Sequence, residues 1–121
     1  MRDYKQLDIW KKAHALTLQI HKTTEDFPIN EQYSLTNQIR RACYSIPMNI
    51  AEGCGKSTDA EFARFLDMAS GSASELDYQL LLARDLGYLD TSLYNSLAEE
   101  LNHIRRMLTS LIKSVRRKSS D

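Results

Sequence analysis

Residues 35–53 read Leu35-Thr36-Asn37-Gln38-Ile39-Arg40-Arg41-Ala42-Cys43-Tyr44-Ser45-Ile46-Pro47-Met48-Asn49-Ile50-Ala51-Glu52-Gly53. Leu35, Ile39, Ala42, Ile46 and Ile50 recur at steps of 4, 3, 4 and 4. That spacing lines one face of a helix with about 3.6 residues per turn. Polar side chains fill the positions between. The two-residue alternation of a half-buried strand is absent here and elsewhere in the chain. Pro47 falls inside the pattern and brings no backbone donor, so a kink is expected near residues 43–47.

The same period continues in both directions. Ile9, Ala13, Leu16 and Ile20 form an earlier stripe, which Phe27-Pro28 ends because a residue before proline is pushed out of the helical region. Phe62, Phe65, Ala69, Ala73, Leu76, Leu80 and Ala83 form a third, with Gly87 placed as a left-handed cap. Leu93, Leu97, Leu101, Ile104, Leu108, Leu111 and Val115 form a fourth. Gly53 and Gly55 read as the stop of the second. Thr58-Asp59-Ala60-Glu61 reads as a capping box, in which hydroxyl and carboxylate each satisfy a free N–H. Asp90 or Thr91 can cap the last helix. The predicted helices span about 8–25, 33–53, 59–86 and 92–116, with Ser119-Ser120-Asp121 frayed. Helices of about 20 residues run ~30 Å. Four of them on short connections predict one all-α domain over residues 1–121, an antiparallel up-down-up-down four-helix bundle. Gly71 stands mid-helix among Ser70, Ser72, Ala73 and Ser74. It costs roughly 1 kcal/mol against Ala. Either the close approach of another helix offsets that, or the glycine is merely tolerated.

The chain has 121 residues and balances 16 basic against 16 acidic side chains. Zero net charge argues against strong whole-molecule attraction to nucleic acid or anionic membrane. The balance is uneven along the chain. Residues 56–100 carry three basic and nine acidic side chains, whereas residues 101–121 carry six basic and one acidic. Three readings of the basic end stay open. It complements the helix dipole, it meets an acidic face of another copy, or it binds nucleic acid or an acidic partner. No apolar run approaches the ~20 residues of a membrane span. The charged first residues lack the apolar stretch of a signal peptide, so a cytoplasmic location is expected.

Motifs for chemistry are weak. Gly53-Cys54-Gly55-Lys56-Ser57 resembles the tail of a P-loop, but Ile50 stands where the leading glycine belongs and no strand precedes it. Glu100-Leu101-Asn102-His103 occurs once, where a di-metal bundle uses the motif twice. His14 and His21 are two turns apart, too far for a His pair on one metal. Cys43 and Cys54 lie about three turns apart, beyond disulfide reach. No catalytic residues, metal ligands, cofactor site or small-molecule substrate are expected. The densest polar cluster in an apolar helix is Gln38, Arg40, Arg41, Asn49 and Glu52. Its arginines are expected to snorkel, to pair with carboxylates, or to sit at a subunit interface or on phosphates.

One resemblance covers residues 7–112. It is carried by Phe27-Pro28, Glu31, Tyr33-x-Leu35, Gln38-Ile39-Arg40-Arg41-Ala42, Ser45-Ile46 and Asn49-Ile50-Ala51-Glu52-Gly53, and then by Glu61-Phe62, Phe65-Leu66, Ala69-x-Gly71-Ser72, Glu75-Leu76 and Gln79. In this order they resemble the four-helix-bundle proteins encoded in intervening sequences of bacterial large-subunit ribosomal RNA genes. The accessory variability proteins of diversity-generating retroelements are similar. The resemblance implies a ring-like homopentamer without catalytic activity, acting as scaffold or accessory subunit of a nucleoprotein complex. It marks Gln38, Asn49, Glu52, Gly53 and Gly71 as motif positions. The retroelement relatives partner a reverse transcriptase and bind nucleic acid through a basic surface. This chain is neutral and its third helix acidic, which leaves Lys11, Lys12, Arg40, Arg41, Arg105, Arg106, Arg116 and Arg117 as candidate RNA, DNA or partner contacts. Trp10, Tyr33, Tyr44 and Tyr78 are candidate interface anchors, since aromatics give large contact area at low entropy cost; core packing is the alternative for each.

Overall fold

The computed structural model describes residues 2–120. Among them stand four α-helices and no strand: α1 (Asp8–Thr24), α2 (Leu35–Cys54), α3 (Asp59–Asp85) and α4 (Thr91–Ser120). Single 3-10 turns occupy Tyr4–Gln6 and Ile29–Glu31. Helix α2 packs on α3, α3 on α4, and α1 on both α2 and α4, while among the described residues the Cα atoms of the diagonal pairs stay more than 8 Å apart. The four apolar stripes fill the centre of this circuit. Ile20, Ile39, Ile46, Ile50, Phe62, Leu66, Leu76, Leu80, Leu97, Leu101, Ile104 and Leu108 are its largest fully buried side chains. Each stabilises the fold by about 1.5–3 kcal/mol relative to exposure.

The helix ends follow local chemistry. The Thr58 hydroxyl accepts from the Glu61 N–H at 3.1 Å. The return half of the expected capping box is not made, because the Glu61 carboxylate turns to Arg64. Asp90 accepts from the Leu93 N–H at 2.7 Å and caps α4. After α3, Gly87 has φ +83. The Tyr88 N–H donates to Ala83 and the Gly87 N–H to Arg84, both at 2.9 Å. That pair of bonds is a Schellman motif, and it needs the left-handed backbone that glycine adopts freely.

Two expectations are corrected and the helix bounds are refined. Helix α2 starts at Leu35, two residues from the expected start, and the Ser34 hydroxyl before it donates to Glu31 instead of capping the helix. The segment does not stop at Gly53. That residue is helical and buried, and α2 runs to Cys54 with Gly55 as its cap. Pro47 lies inside the helix, which runs unbroken from Leu35 to Cys54, and its buried ring adds apolar contact where it brings no backbone donor. Helix α4 extends to Ser120 instead of ending near 116 and fraying, consistent with Arg117 and Lys118 complementing the dipole of its last turn. Asp121 lies outside the described residues.

Two loops are tied together at one end of the molecule. Tyr88 donates to Glu31 at 2.7 Å, and the Phe27 and Tyr88 rings pack at 5.5 Å. The hydroxyls of Ser34 and then Tyr88 hold the Glu31 carboxyl below its ordinary 4.5, while the carboxylate pushes the Tyr88 phenol above its ordinary 10.0. A depressed carboxyl stabilises the fold above its unfolded pKa and stops doing so as pH falls through the folded one. A raised phenol stabilises below its unfolded pKa and stops as pH climbs past. The stability lost in Tyr88→Phe should therefore be full between about pH 5 and 9 and shrink below pH 4.5. Urea midpoints of both proteins across this range check it, and a gap that stays constant down to pH 3 would refute the linkage.

Candidate functional site

Two surfaces gather the polar residues. The first is the seam between α2 and α3. Positions 38, 41, 45 and 49 follow one another on a single face of α2. Asn49 donates to the Ser45 carbonyl at 2.9 Å and to its hydroxyl at 2.8 Å, and Ser72 of α3 donates to the Ser45 hydroxyl at 2.8 Å. Above this bridge Gln38, Arg41, Ala42, Ser45, Ser72 and Glu75 line an open groove of about 460 Å³. Gln79, 4% exposed, donates its amide to Glu75 at 3.2 Å, while its side-chain oxygen has no partner. Most polar positions of the motif thus converge on this seam. Arg40 and Glu52 do not.

Arg40 is turned the other way. Its Nε donates to the Thr24 hydroxyl at 2.9 Å and its Nη2 to the His21 carbonyl at 3.2 Å. It closes the C-terminal end of α1, where free carbonyls and the dipole favour a cation. Arg40 is thus held within the protomer by hydrogen bonds to neutral groups. Arg41 is exposed, and Glu52 is exposed without an ion pair among the described residues.

The second surface is the outer side of α4. Asn102, Arg105, Arg106, Thr109, Ser110 and Lys113 line a shallow groove of about 480 Å³. Two of the candidate cations are spent on α3. Arg105 pairs with Asp77 at 3.5 Å and reaches the Ser74 hydroxyl at 3.3 Å. Arg116 forms a two-pronged ion pair with Asp67. The acidic α3 and basic α4 therefore meet first within the protomer, which accounts for part of the charge imbalance along the chain. Among the described residues Arg106 and Arg117 are exposed and make no ion pair, nor do Lys11 and Lys12 on α1. Lys113, outside the expected set, belongs with them. Its spacing of seven from Arg106 and four from Arg117 is the signal that finds it.

The aromatics divide. Trp10 is half-buried, stacked on His14 with ring centroids 4.9 Å apart and edge-on to Tyr4. Tyr44 is half-buried and hydrogen-bonded to His21 Nδ1 at 2.5 Å. Tyr33 and Tyr78 are 88% and 62% exposed. Core packing is excluded for that pair. Among the glycines, a Cβ on Gly53 would lie 2.9 Å from Phe65 Cβ and 3.0 Å from Phe62 Cδ1, so α3 crosses α2 here at close range. A Cβ on Gly71 would meet nothing within 4 Å. No helix of the protomer approaches Gly71.

The remaining reactive groups have structural surroundings. Burial pushes the Cys43 thiol up to about 11, only partly opposed by the Thr17 hydroxyl at 3.7 Å. The thiol that burial keeps protonated is a poor nucleophile at neutral pH. Burial also raises Cys54, and both cysteines are free. Lys56 of the glycine-flanked turn lies 5.0 Å over the Phe65 ring. His103 sits with Glu99, Glu100, Lys12 and Arg106 at the surface. Among the described residues no group of three or more His, Cys, Asp or Glu is placed to hold a metal, and no helix is long and apolar enough to cross a membrane.

These features define an all-α four-helix protein whose distinctive residues lie at helix seams and on outer faces. The 23S rRNA-intervening sequence protein model matches residues 5–110, and the chain belongs to that family. The basic end beyond residue 110 lies outside the match. A crystal structure of a protein with unknown function, from the S23 ribosomal protein family and from Bacteroides thetaiotaomicron, is similar at 29% identity with a TM-score of 0.80, covering 87% of this chain and 98% of that one. A comparison with curated proteins finds no match.

Proposed function

We propose that this protein is a non-enzymatic, self-assembling scaffold or accessory subunit of a cytoplasmic nucleoprotein complex, built as a homopentameric ring. The helices of each protomer run up-down-up-down. Support for that order comes from paired positions that rise along one helix and fall along the next: Asp67 with Arg116 and Asp77 with Arg105, or Ser45 with Ser72 and Gly53 with Phe65. The observation that carries the assembly reading is the set of large apolar side chains left on ordered helices. Met48 is 66% exposed, Met68 45% and Tyr78 62%. Aromatic and methionine side chains are enriched where protein surfaces meet. Size-exclusion chromatography with light scattering tests it. A mass of five protomers with a protein-like ultraviolet absorbance ratio is the expected result, and a protomer mass would overturn it.

A second reading makes the ring bind RNA or DNA. Arg106, Lys113 and Arg117 favour it, being three exposed cations on one face of α4 that several copies would multiply by avidity. Binding would weaken steeply with salt, and changing all three to Ala would flatten the log–log salt slope by about 2–3. An unchanged slope would remove this surface from the reading.

A further inference from the structure

Helix α3 is the least one-sided of the four. Its inner face buries Phe62, Leu66, Ala69, Ala73, Leu76 and Leu80. Its outer face, at positions 68, 71, 75 and 78, presents Met68, Gly71, Glu75 and Tyr78. On the neighbouring helix Met48 stands exposed as well. A helix with apolar residues on both sides is one that is covered on both sides. Gly71 points the same way. It weakens an isolated helix by roughly 1 kcal/mol, and the protomer gains nothing at that position, since the space around it is open. At the centre of a contact, a missing side chain lets another helix approach closely.

The charges select the occupant. Glu75 is exposed and makes no ion pair among the described residues, whereas Asp67 and Asp77 of the same helix are already paired with Arg116 and Arg105. An α3-on-α3 contact would set Glu75 against its own copy, so a basic surface suits it better. The complementary surface lies elsewhere on the same chain. Leu7, Ile9, Met107 and Leu111 floor an apolar groove of about 400 Å³ between α1 and α4. Ser110 lines both this groove and the basic one beside it, so Arg106 and Lys113 form one bank of the apolar floor.

We infer that the outer face of α3 docks into the α1–α4 groove of a second copy, with Met68 and Tyr78 on the apolar floor and Glu75 against Arg106 and Lys113. The inference rests on the self-assembly reading and deepens it. Each copy offers one face of each kind, so the contact is head-to-tail, the type that generates closed rings when the rotation fits. Arg106 and Lys113 are then subunit contacts, and a nucleic acid would have to use other cations of the ring.

The test is light scattering across a dilution series of the full chain with Gly71→Gln and Tyr78→Ser, each with circular dichroism. Both should remain helical. Both should dissociate at concentrations where the parent is assembled, weakened by at least about 30-fold, the size of a hot-spot loss. Glu75→Lys should also weaken assembly at low salt, and adding Arg106→Glu with Lys113→Glu should restore it. Folded Gly71→Gln and Tyr78→Ser proteins that keep the parent's mass would overturn this interface while leaving self-assembly standing. Dissociation without rescue by the charge exchange would overturn the α4 half of the contact. A parent that runs as a protomer would overturn both readings.

Discussion

Phe62→Ala is expected to lower folding stability by about 3–5 kcal/mol, the range for deleting a buried aromatic ring. The ring is 1% exposed in the first turns of α3, where it meets the closest approach of α2. It also carries the N-terminal segment. The Arg2 guanidinium lies 4.2 Å over the ring and bonds Asp59 at 2.5 Å, while the Arg2 N–H donates to the Cys54 carbonyl at 3.0 Å. Truncation therefore removes the ring's own burial, leaves a cavity beneath Gly53, and takes away the surface on which Arg2 rests. Domains of this size hold about 5–15 kcal/mol in all, so the loss is a large share of the total. Urea unfolding should show a lower midpoint at an unchanged slope. A loss under about 1 kcal/mol would mean that the site collapses around the gap and that the ring is not a packing centre.

How far the sequence could be read depends on what each residue reports. The four stripes were legible because helical burial repeats at a period that one chain displays alone. Ile39, Ile46 and Ile50, predicted on one face, are all buried to within 1%. Caps were legible for the same local reason, as at Thr58, Asp90 and Gly87. Gly53 was misread because a glycine near a helix end has two physical uses. It can stop the helix, or it can admit a neighbour. Only the position of Phe65, twelve residues on, decides between them. Arg40 and Arg41 are adjacent in sequence, but the helix turns them about 100° apart. One closes α1 and the other lines the α2–α3 groove. The pairing of Arg116 with Asp67 and Arg105 with Asp77 was likewise invisible to local charge counting, which saw an acidic and a basic segment without their contact. The exposure of Tyr78 was legible too, since the stripe of Phe62, Ala69 and Leu76 puts position 78 on the opposite face of α3, but that phase was not applied to it.

Gly53→Val is expected to cost about 3 kcal/mol, and Gly53→Ala about 1–2 kcal/mol, although alanine is the better helix former by nearly 1 kcal/mol. The crowding comes from atoms of unequal freedom. Phe62 Cδ1, 3.0 Å from the added Cβ, belongs to a ring that can tilt. Phe65 Cβ, at 2.9 Å, is fixed to the α3 backbone, so relief there requires the two helices to move apart. Valine adds a branched carbon that cannot rotate clear of both. The same substitution at Gly71 is the control. With nothing within 4 Å of its Cβ, Gly71→Ala should stabilise the isolated protomer by up to about 1 kcal/mol. The sign of a glycine-to-alanine change within this one protein should thus reverse between α2 and α3. Combining Gly53→Ala with Phe62→Ala separates the two crowding atoms. The double variant should be more stable than the sum of the single losses, with a coupling of about 0.5–2 kcal/mol, because the cavity of one accepts the methyl of the other. Simple additivity would place the whole cost of Gly53→Ala on the immovable Phe65 Cβ and on the spacing of the two helix axes.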